Sequence, residues 1–440
     1  MTGWRHSSLS RSRLSRYRLS RSPSARAVRV LCAAVAGAAL LLPALTGCGV
    51  GPLGGPSGAK EPVTVMTWAP IGTDATNRPG MPALAKAYAR WVNASGGIDG
   101  HELRVLTCNE RNDAASAAQC ARRAVKAKAV AVVGSYSQHG REFMAPLEAA
   151  NIPYLGGYGI TEEEFSSYVS YPVNGGQATL LAGNGRQLAR DCPHTALVRP
   201  DTTTGDDLPD LIDSGLAAAR RGPAADIRAQ ENATSYPERA EEARTRAGDG
   251  GCVTVVLGDR TETFFDSYRR LPDDGRTLRV SSVLGSVGQA LVDRTGGRNG
   301  LFEGAYLTGW YPVASDPAWR PMRDVIGEYA FGDDDIDPAD QGAQTTWIAY
   351  TALKSVIESM NTGRITSGGL ADALDRGARV DTGGLTPPLR WRYEDMLGTP
   401  GFPRIVNGDV TFQVVRQGRL VTQRAGFVDV SGTLGGTTAR

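Results

Sequence analysis

From residue 63 the chain alternates short apolar runs with helical stretches, and that alternation restricts the fold more than any other feature. The run 63–68 reads as a strand, and Met81, Leu84, Ala85, Tyr88, Trp91 and Val92 then recur at helical spacing until Gly96-Gly97 stops them. The same unit repeats as strand 103–107 and helix 114–126, which Asn112 or Asp113 caps. Strand 129–133, helix 141–150 and strand 153–155 complete the run. Short apolar strands linked by helical crossovers make a parallel sheet covered on both faces. A break at 173–176 precedes a second series: helix 178–190, strand 195–199, helix 208–221, strand 226–229, helix 237–247, strand 253–257, helix 263–271 and strand 277–283. The expected fold class is α/β, with two doubly wound parallel-sheet lobes. Beyond them, 304–310 reads as a strand, 345–360 as a long helix, and 410–416 with 419–421 as a hairpin turning at Gln417-Gly418.

The N-terminus reads as an address. Eight Arg but no Lys, Asp or Glu occur in residues 1–47, followed by an apolar run from 27 to 42. Leu45-Thr46-Gly47-Cys48 then has the form of a lipobox, in which Cys48 takes a lipid and becomes the new N-terminus. Residues 1–47 are therefore expected to be a signal peptide and 48–60, with five Gly and two Pro from 49 on, a flexible tether. The expected location is extracytoplasmic, on the outer face of the cell membrane through the lipid. Without the leader the chain carries 40 basic against 46 acidic residues, and no basic cluster that would favour nucleic acid.

Outside the leader and Cys48 the cysteines are Cys108, Cys120, Cys192 and Cys252. In an exported protein four cysteines read as two disulfides. Cys108 ends a strand and Cys120 lies on the following helix. Cys192 and Cys252 each precede a strand, and a doubly wound half with strand order 2-1-3 makes those two strands neighbours. The pattern therefore favours Cys108–Cys120 and Cys192–Cys252. No metal site is expected, since no Cys-x-x-Cys occurs and the four His (6, 101, 139, 194) are scattered. The acidic run 333–338 lacks the Gly and the terminal Glu of a calcium loop and reads as solvated. No dinucleotide fingerprint, P-loop or nucleophile elbow is present, so neither a cofactor nor an enzyme is expected.

Four segments carry a family resemblance. They are Val92-Asn93-Ala94-Ser95-Gly96-Gly97-Ile98-Asp99-Gly100, Asn112-Asp113-Ala114-Ala115 with Gln119 and Ala121, Ala129-Val130-Ala131-Val132-Val133-Gly134, and Trp347-Ile348-Ala349-Tyr350-Thr351-Ala352-Leu353. Taken in order, they make residues 63–430 resemble the type I periplasmic binding proteins of ABC importers, in the branched-chain amino acid (Leu/Ile/Val) branch, here as a lipoprotein of actinobacterial type. The resemblance implies two lobes joined by three hinge crossings, near Val173, Leu307 and Leu389. Lobe 1 would comprise 61–173 plus 308–389 and lobe 2 would comprise 174–307 plus 390–430, with a disordered tail at 431–440. The implied function is binding of a small polar ligand (amino-acid-like, carboxylate or amide) between the lobes, with an ABC permease as partner. The alternative is a sensor of the same fold that reports to a signalling partner.

Ligands of doubly wound sheets sit at the carboxyl ends of strands. The candidates are therefore Thr73 and Asn77 after the first strand, Ser135, Tyr136, Ser137 and Gln138 after the third, and Tyr158 and Thr161 after the fourth. In the family the last two loops supply hydroxyls and amides to a carboxylate, a role that Ser135 and Ser137 would take. On lobe 2 the candidates are Arg260 and Ser286. Amino-acid binders of the family carry an acidic residue after the last strand of that lobe, but 283–289 contains none. Arg260, facing the cleft, would instead suit an acidic or hydroxylated ligand. Trp310 and Trp347 read as core.

Overall fold

The computed structural model describes residues 60–332 and 335–434. The expected signal peptide, Cys48, the tether up to residue 59, Asp333-Asp334 of the acidic run and residues 435–440 lie outside them. Two sheets form the frame. The first is wholly parallel and contains β1 (Val63–Ala69), β2 (Leu103–Asn109), β3 (Ala131–Val133), β4 (Tyr154–Leu155) and β5 (Ser170–Tyr171), in the order β2-β1-β3-β4-β5. Valines and alanines buried on both faces of its central strands explain why they read as continuous apolar runs.

The second sheet contains β6 (Thr195–Pro200), β7 (Ala225–Ala229), β8 (Cys252–Val255), β9 (Arg279–Val283), β10 (Tyr306–Gly309), β11 (Asp409–Arg416) and β12 (Arg419–Thr422), ordered β12-β11-β10-β9-β8-β6-β7. β13 (Val428–Asp429) pairs with β11. Strands β6 to β10 are parallel, but β11 runs antiparallel to both β10 and β12. The expected two-lobed α/β class holds, and the hairpin, by joining the second sheet's edge, makes that sheet mixed where a wholly parallel one was expected. Ser431–Leu434, placed in the expected disordered tail, form a helical turn, and Leu434 is buried.

Both disulfides form as the pattern favoured. β6 and β8 are neighbours with Thr195 opposite Cys252, and the Cys192–Cys252 Cα separation is 5.6 Å. Cys108–Cys120 spans 5.7 Å between Cα atoms, from the end of β2 to the helix Ala114–Lys126, which Asp113 caps by accepting from Ser116 N at 2.8 Å.

Three stretches of chain connect the two sheets. The first leaves β5, and the helix Gly176–Leu188 then lies on the second sheet, where Asn184 Nδ2 donates to Ser281 Oγ at 2.9 Å. The second leaves β10 for the helix Gln341–Met360, whose Tyr350 hydroxyl meets Thr67 Oγ1 of β1 at 2.8 Å. The third returns to β11, tied to the first where Trp391 Nε1 donates to Pro172 O at 2.7 Å and Asn407 Nδ2 to Val173 O at 3.2 Å. The long helix lies against the loops that follow β3 and β4. A Cβ at Gly134 would meet Thr346 Cα at 2.9 Å and one at Gly156 would meet Ala349 Cβ at 2.4 Å, and both glycines have positive φ. The two loops can start only where no side chain stands between them and that helix.

Candidate functional site

The carboxyl ends of β1, β3 and β4 face those of β6 to β10 across a cleft that encloses a cavity of about 70 Å³. The loop after β1 is closed by its own polar groups. Asn77 Oδ1 accepts from Thr73 N at 2.8 Å, and Asn77 Nδ2 donates to Thr73 O at 2.8 Å. Thr73 and Asn77 therefore shape this loop, and it is Thr76 and Arg78 that it presents to the cavity. The loop after β3 divides in the same way. Ser135 Oγ accepts from Trp68 N at 3.1 Å, and Ser137 Oγ donates to Glu110 Oε2 at 2.9 Å while accepting from His139 N. Both serines are buried behind the loop, and Tyr136 and Gln138 line the cavity.

In the loop after β4, one carboxylate takes three successive amides. Glu164, 2% exposed, accepts from Gly159 N at 3.0 Å, Ile160 N at 2.8 Å and Thr161 N at 3.1 Å. Thr161 is thereby held away from the cavity, and Tyr158 and Ile160 line it. Tyr136 and Tyr158 pack edge to face at 5.1 Å, and Tyr158 meets Trp310 at 5.1 Å in the same manner. Burial raises the Tyr158 hydroxyl to about 12, against the opposing pull of the Arg78 cation, so it stays a neutral donor.

Arg78 is the cation of this site, a place the sequence argument assigned to Arg260. Arg78 is 7% exposed, and its Cζ lies 5.7 Å from the ring centroids of both Tyr136 and Tyr158. Its Nη1 donates to Asp259 Oδ1 at 2.8 Å and to Asn77 O at 3.0 Å, and its Nη2 donates to Gly285 O at 3.0 Å. Arg260 instead reaches across the cleft rim to Asp74 O and is not part of the cavity wall. The physical reason is the turn Gly258–Arg260, which aims residue 260 at the loop after β1.

The second sheet contributes Leu257 and Gly258 after β8, Leu284 to Ser286 after β9 and Trp310 after β10. Ser286 Oγ accepts from Gly258 N at 3.2 Å, joining two of these loops. Of the ten sequence candidates, Tyr136, Gln138, Tyr158 and Ser286 line the cavity, whereas Thr73, Asn77, Ser135, Ser137, Thr161 and Arg260 do not. Residues 283–289 supply no carboxylate to the wall. The one in the wall, Glu231, comes from the loop after β7 and accepts from Gln138 Nε2 at 2.8 Å across the cleft. The sequence signal for Arg78 is that it is the single cation between β1 and the helix Gly80–Ala94. Among the described residues no group of three or more His, Cys, Asp or Glu is placed to hold a metal, and no helix is long and apolar enough to cross a membrane.

Two buried carboxyls beneath these loops set a pH dependence. Burial pushes Glu110 and Glu164 each up to about 7, while donors hold the anions down: Ser137 Oγ and Asn112 N for Glu110, and the amides of 159–161 for Glu164. Unfolded, both titrate near 4.5. Between these values the folded chain keeps protons that the unfolded chain has released. Their contribution to stability is complete below about pH 4.5 and is lost as the pH rises through about 7, at up to about 1.4 kcal/mol per pH unit for each proton. The melting temperature should fall between pH 5 and 8. Glu110→Gln, which is isosteric and does not titrate, should flatten that profile. An unchanged slope in the variant would remove Glu110 from this account.

With this geometry in hand, comparison with known proteins places the chain. Residues 67–399 match the periplasmic binding protein family, so the chain belongs to that family, and its two-lobed α/β architecture is the type I form found in solute-binding proteins of ABC transporters. No curated protein sequence matches it. A possible leucine/isoleucine/valine-binding protein from Rhodopirellula baltica SH 1 superposes with a TM-score of 0.68 at 15% identity, over 84% of this chain and 98% of that one. A branched-chain amino acid ABC transporter protein from Thermus thermophilus with bound valine gives 0.67 at 15% identity, over 83% and 96%. A solute-binding protein from Rhodopseudomonas palustris BisB5 in complex with 3,4-dihydroxybenzoic acid gives 0.67 at 12% identity, over 84% and 98%. At such identities the likeness concerns the fold.

Proposed function

We propose that this chain is the extracytoplasmic solute-binding lipoprotein of an ABC importer, closing its two lobes on a small polar ligand and presenting it to a permease. The observation that carries the reading is the cavity at the carboxyl ends of both sheets, bridged by side chains from each side. Asp259 accepts from Arg78 and, at 2.9 Å, from Asn77 N, and Glu231 accepts from Gln138. These contacts exist only when the lobes are together, so anything bound between them is stabilised by closure and stabilises it in turn. The neighbours named above bind an amino acid in one case and an aromatic acid in another, which places carboxylates first among the ligands to test.

Protein beginning at Gly49 should show a raised melting temperature with at least one member of a panel of amino acids, their deaminated analogues, amides, short peptides, sugars and polyols. Ligand at about one hundred times its Kd adds roughly 2.7 kcal/mol of stability. A folded protein that ignores the whole panel contradicts the importer reading. Lipid anchoring makes a separate prediction: mass spectrometry of the membrane fraction should find a diacylated Cys48 at the N-terminus, and an intact Met1 would refute it.

A further inference from the structure

Resting on the solute-binding reading above, we propose that Arg78 selects the ligand of this cleft by taking its carboxylate, and that Glu164 is the reason the task falls to Arg78. A carboxylate entering between the lobes needs donors that are not already engaged. The amides of Gly159, Ile160 and Thr161 form a ready concavity for an anion, but Glu164 already fills it with both oxygens. The hydroxyls of Ser135 and Ser137 are spent on Trp68 N, Val133 O, Glu110 and His139 N. The internal carboxylate of Glu164 thus occupies the loop that would otherwise hold the ligand's, and it acts as a positioning residue for Tyr158 and Ile160.

What remains on the cavity wall is one cation with a donor to spare. Arg78 Nε is buried and has no hydrogen-bond partner, the sole such side-chain atom among the described residues that line this cavity. A buried donor left without an acceptor is costly, by about 1–3 kcal/mol, and a ligand oxygen at that edge removes the cost. Nε lies on the same edge of the guanidinium as Nη2, the geometry in which arginine receives a carboxylate side-on. The flanking rings of Tyr136 and Tyr158 fix the plane of the guanidinium.

Arg78 also borders a second cavity of about 260 Å³, but four carboxylates line that one (Asp259, Glu262, Asp337 and Asp340) against one further cation, Arg294, which pairs with Glu262, and the excess of acidic groups repels an anion. The cavity between the aromatic rings has a single carboxylate, Glu231, and Gln138 already donates to it. An anion is therefore accepted on the side of Tyr136, Tyr158 and Trp310 and refused on the other.

The test compares acids with their own amides, so that shape is held constant and only the anion changes. Leucine against leucinamide, 4-hydroxybenzoate against 4-hydroxybenzamide, and 4-methylpentanoate against its amide would be titrated calorimetrically into the mature protein, Arg78→Gln and Arg78→Lys. The expected result is that at least one acid binds about 10- to 100-fold more tightly than its amide, the range of one charge-assisted contact. That preference should shrink to under about threefold in Arg78→Gln and persist in part in Arg78→Lys, each variant first shown to melt cooperatively. An acid preference that survives Arg78→Gln overturns the assignment to Arg78, and amides that bind as tightly as acids overturn the carboxylate. Each of these results leaves the solute-binding reading standing, and a folded protein that binds a sugar, polyol or peptide of the wider panel but no member of any pair overturns the carboxylate assignment alone.

Discussion

Replacing Trp310 with alanine is expected to lower the unfolding free energy by about 3–5 kcal/mol, the usual cost of deleting a buried tryptophan. The indole is fully buried at the end of β10, where the chain leaves the second sheet. Its ring packs edge to face on Tyr158 at 5.1 Å, and its Nε1 donates to Gly176 O at 2.9 Å, at the start of the helix that follows the first connection. One side chain therefore touches the cavity, the first connection and the second. Alanine would extend the cavity into the space of the ring and leave Gly176 O with Thr179 Oγ1 in place of the indole donor, so ligand affinity should fall together with stability. Trp310→Phe separates the two terms. It keeps an aromatic ring against Tyr158 but loses the hydrogen bond, for about 1–1.5 kcal/mol, and part of the buried ring, so its loss should lie between that figure and the loss of the alanine variant. Urea unfolding of both variants measures the difference, and a loss below about 1 kcal/mol for the alanine variant would contradict this account of the indole.

Removing the Cys192–Cys252 bridge should cost about 4 kcal/mol. The bridge closes a loop of 60 residues, and in the chain-entropy description the stabilisation grows with the logarithm of loop length. Cys108–Cys120 closes only 12 residues and should contribute about 3 kcal/mol. The paired Cys192→Ser, Cys252→Ser variant should therefore melt below the paired Cys108→Ser, Cys120→Ser variant, with both below the parent. The opposite order would show that native-state effects outweigh the entropy of the unfolded chain. Cys192 and Cys252 are almost wholly buried between β6, β8 and the helix Gly176–Leu188, so native protein should resist a small thiol reductant until it opens.

The pH dependence argued for Glu110 and Glu164 connects to the proposed site. Both carboxyls lie beneath loops that carry cavity residues: Glu110 through Ser137 in the loop of Tyr136 and Gln138, and Glu164 through the amides after Tyr158. Ligand affinity and stability should therefore vary over the same pH window, a link that calorimetry at pH 5 and pH 8 would check.

The order of elements was legible in the sequence because it depends on local periodicity. The helices 114–126 and 237–247 fall at the expected bounds, and the strand starts at 63, 103 and 195 coincide as well. The disulfide pairs were legible for a related reason: the strand order of a doubly wound half makes β6 and β8 neighbours, whatever the side chains around them. The loops that build the site were legible too, since strands of a parallel sheet end at a common edge. Which residue of each loop faces the cavity was decided only by tertiary structure. Ser135, Ser137 and Thr161 read as ligand donors by type, yet each is consumed by a buried partner distant in sequence or supplied by an adjoining element: Trp68 N, Glu110 and Glu164. Glu231 carries no local signature that separates it from surface charges, and the one signal for Arg78, its being the single cation in 70–79, does not say where the side chain points. Their place follows from what the opposite sheet brings to meet them, Asp259 and Gly285 for the one and Gln138 for the other. Periodicity is a property of neighbours along the chain. The satisfaction of a buried donor or charge is a property of neighbours in space, and it was settled only when the two sheets met.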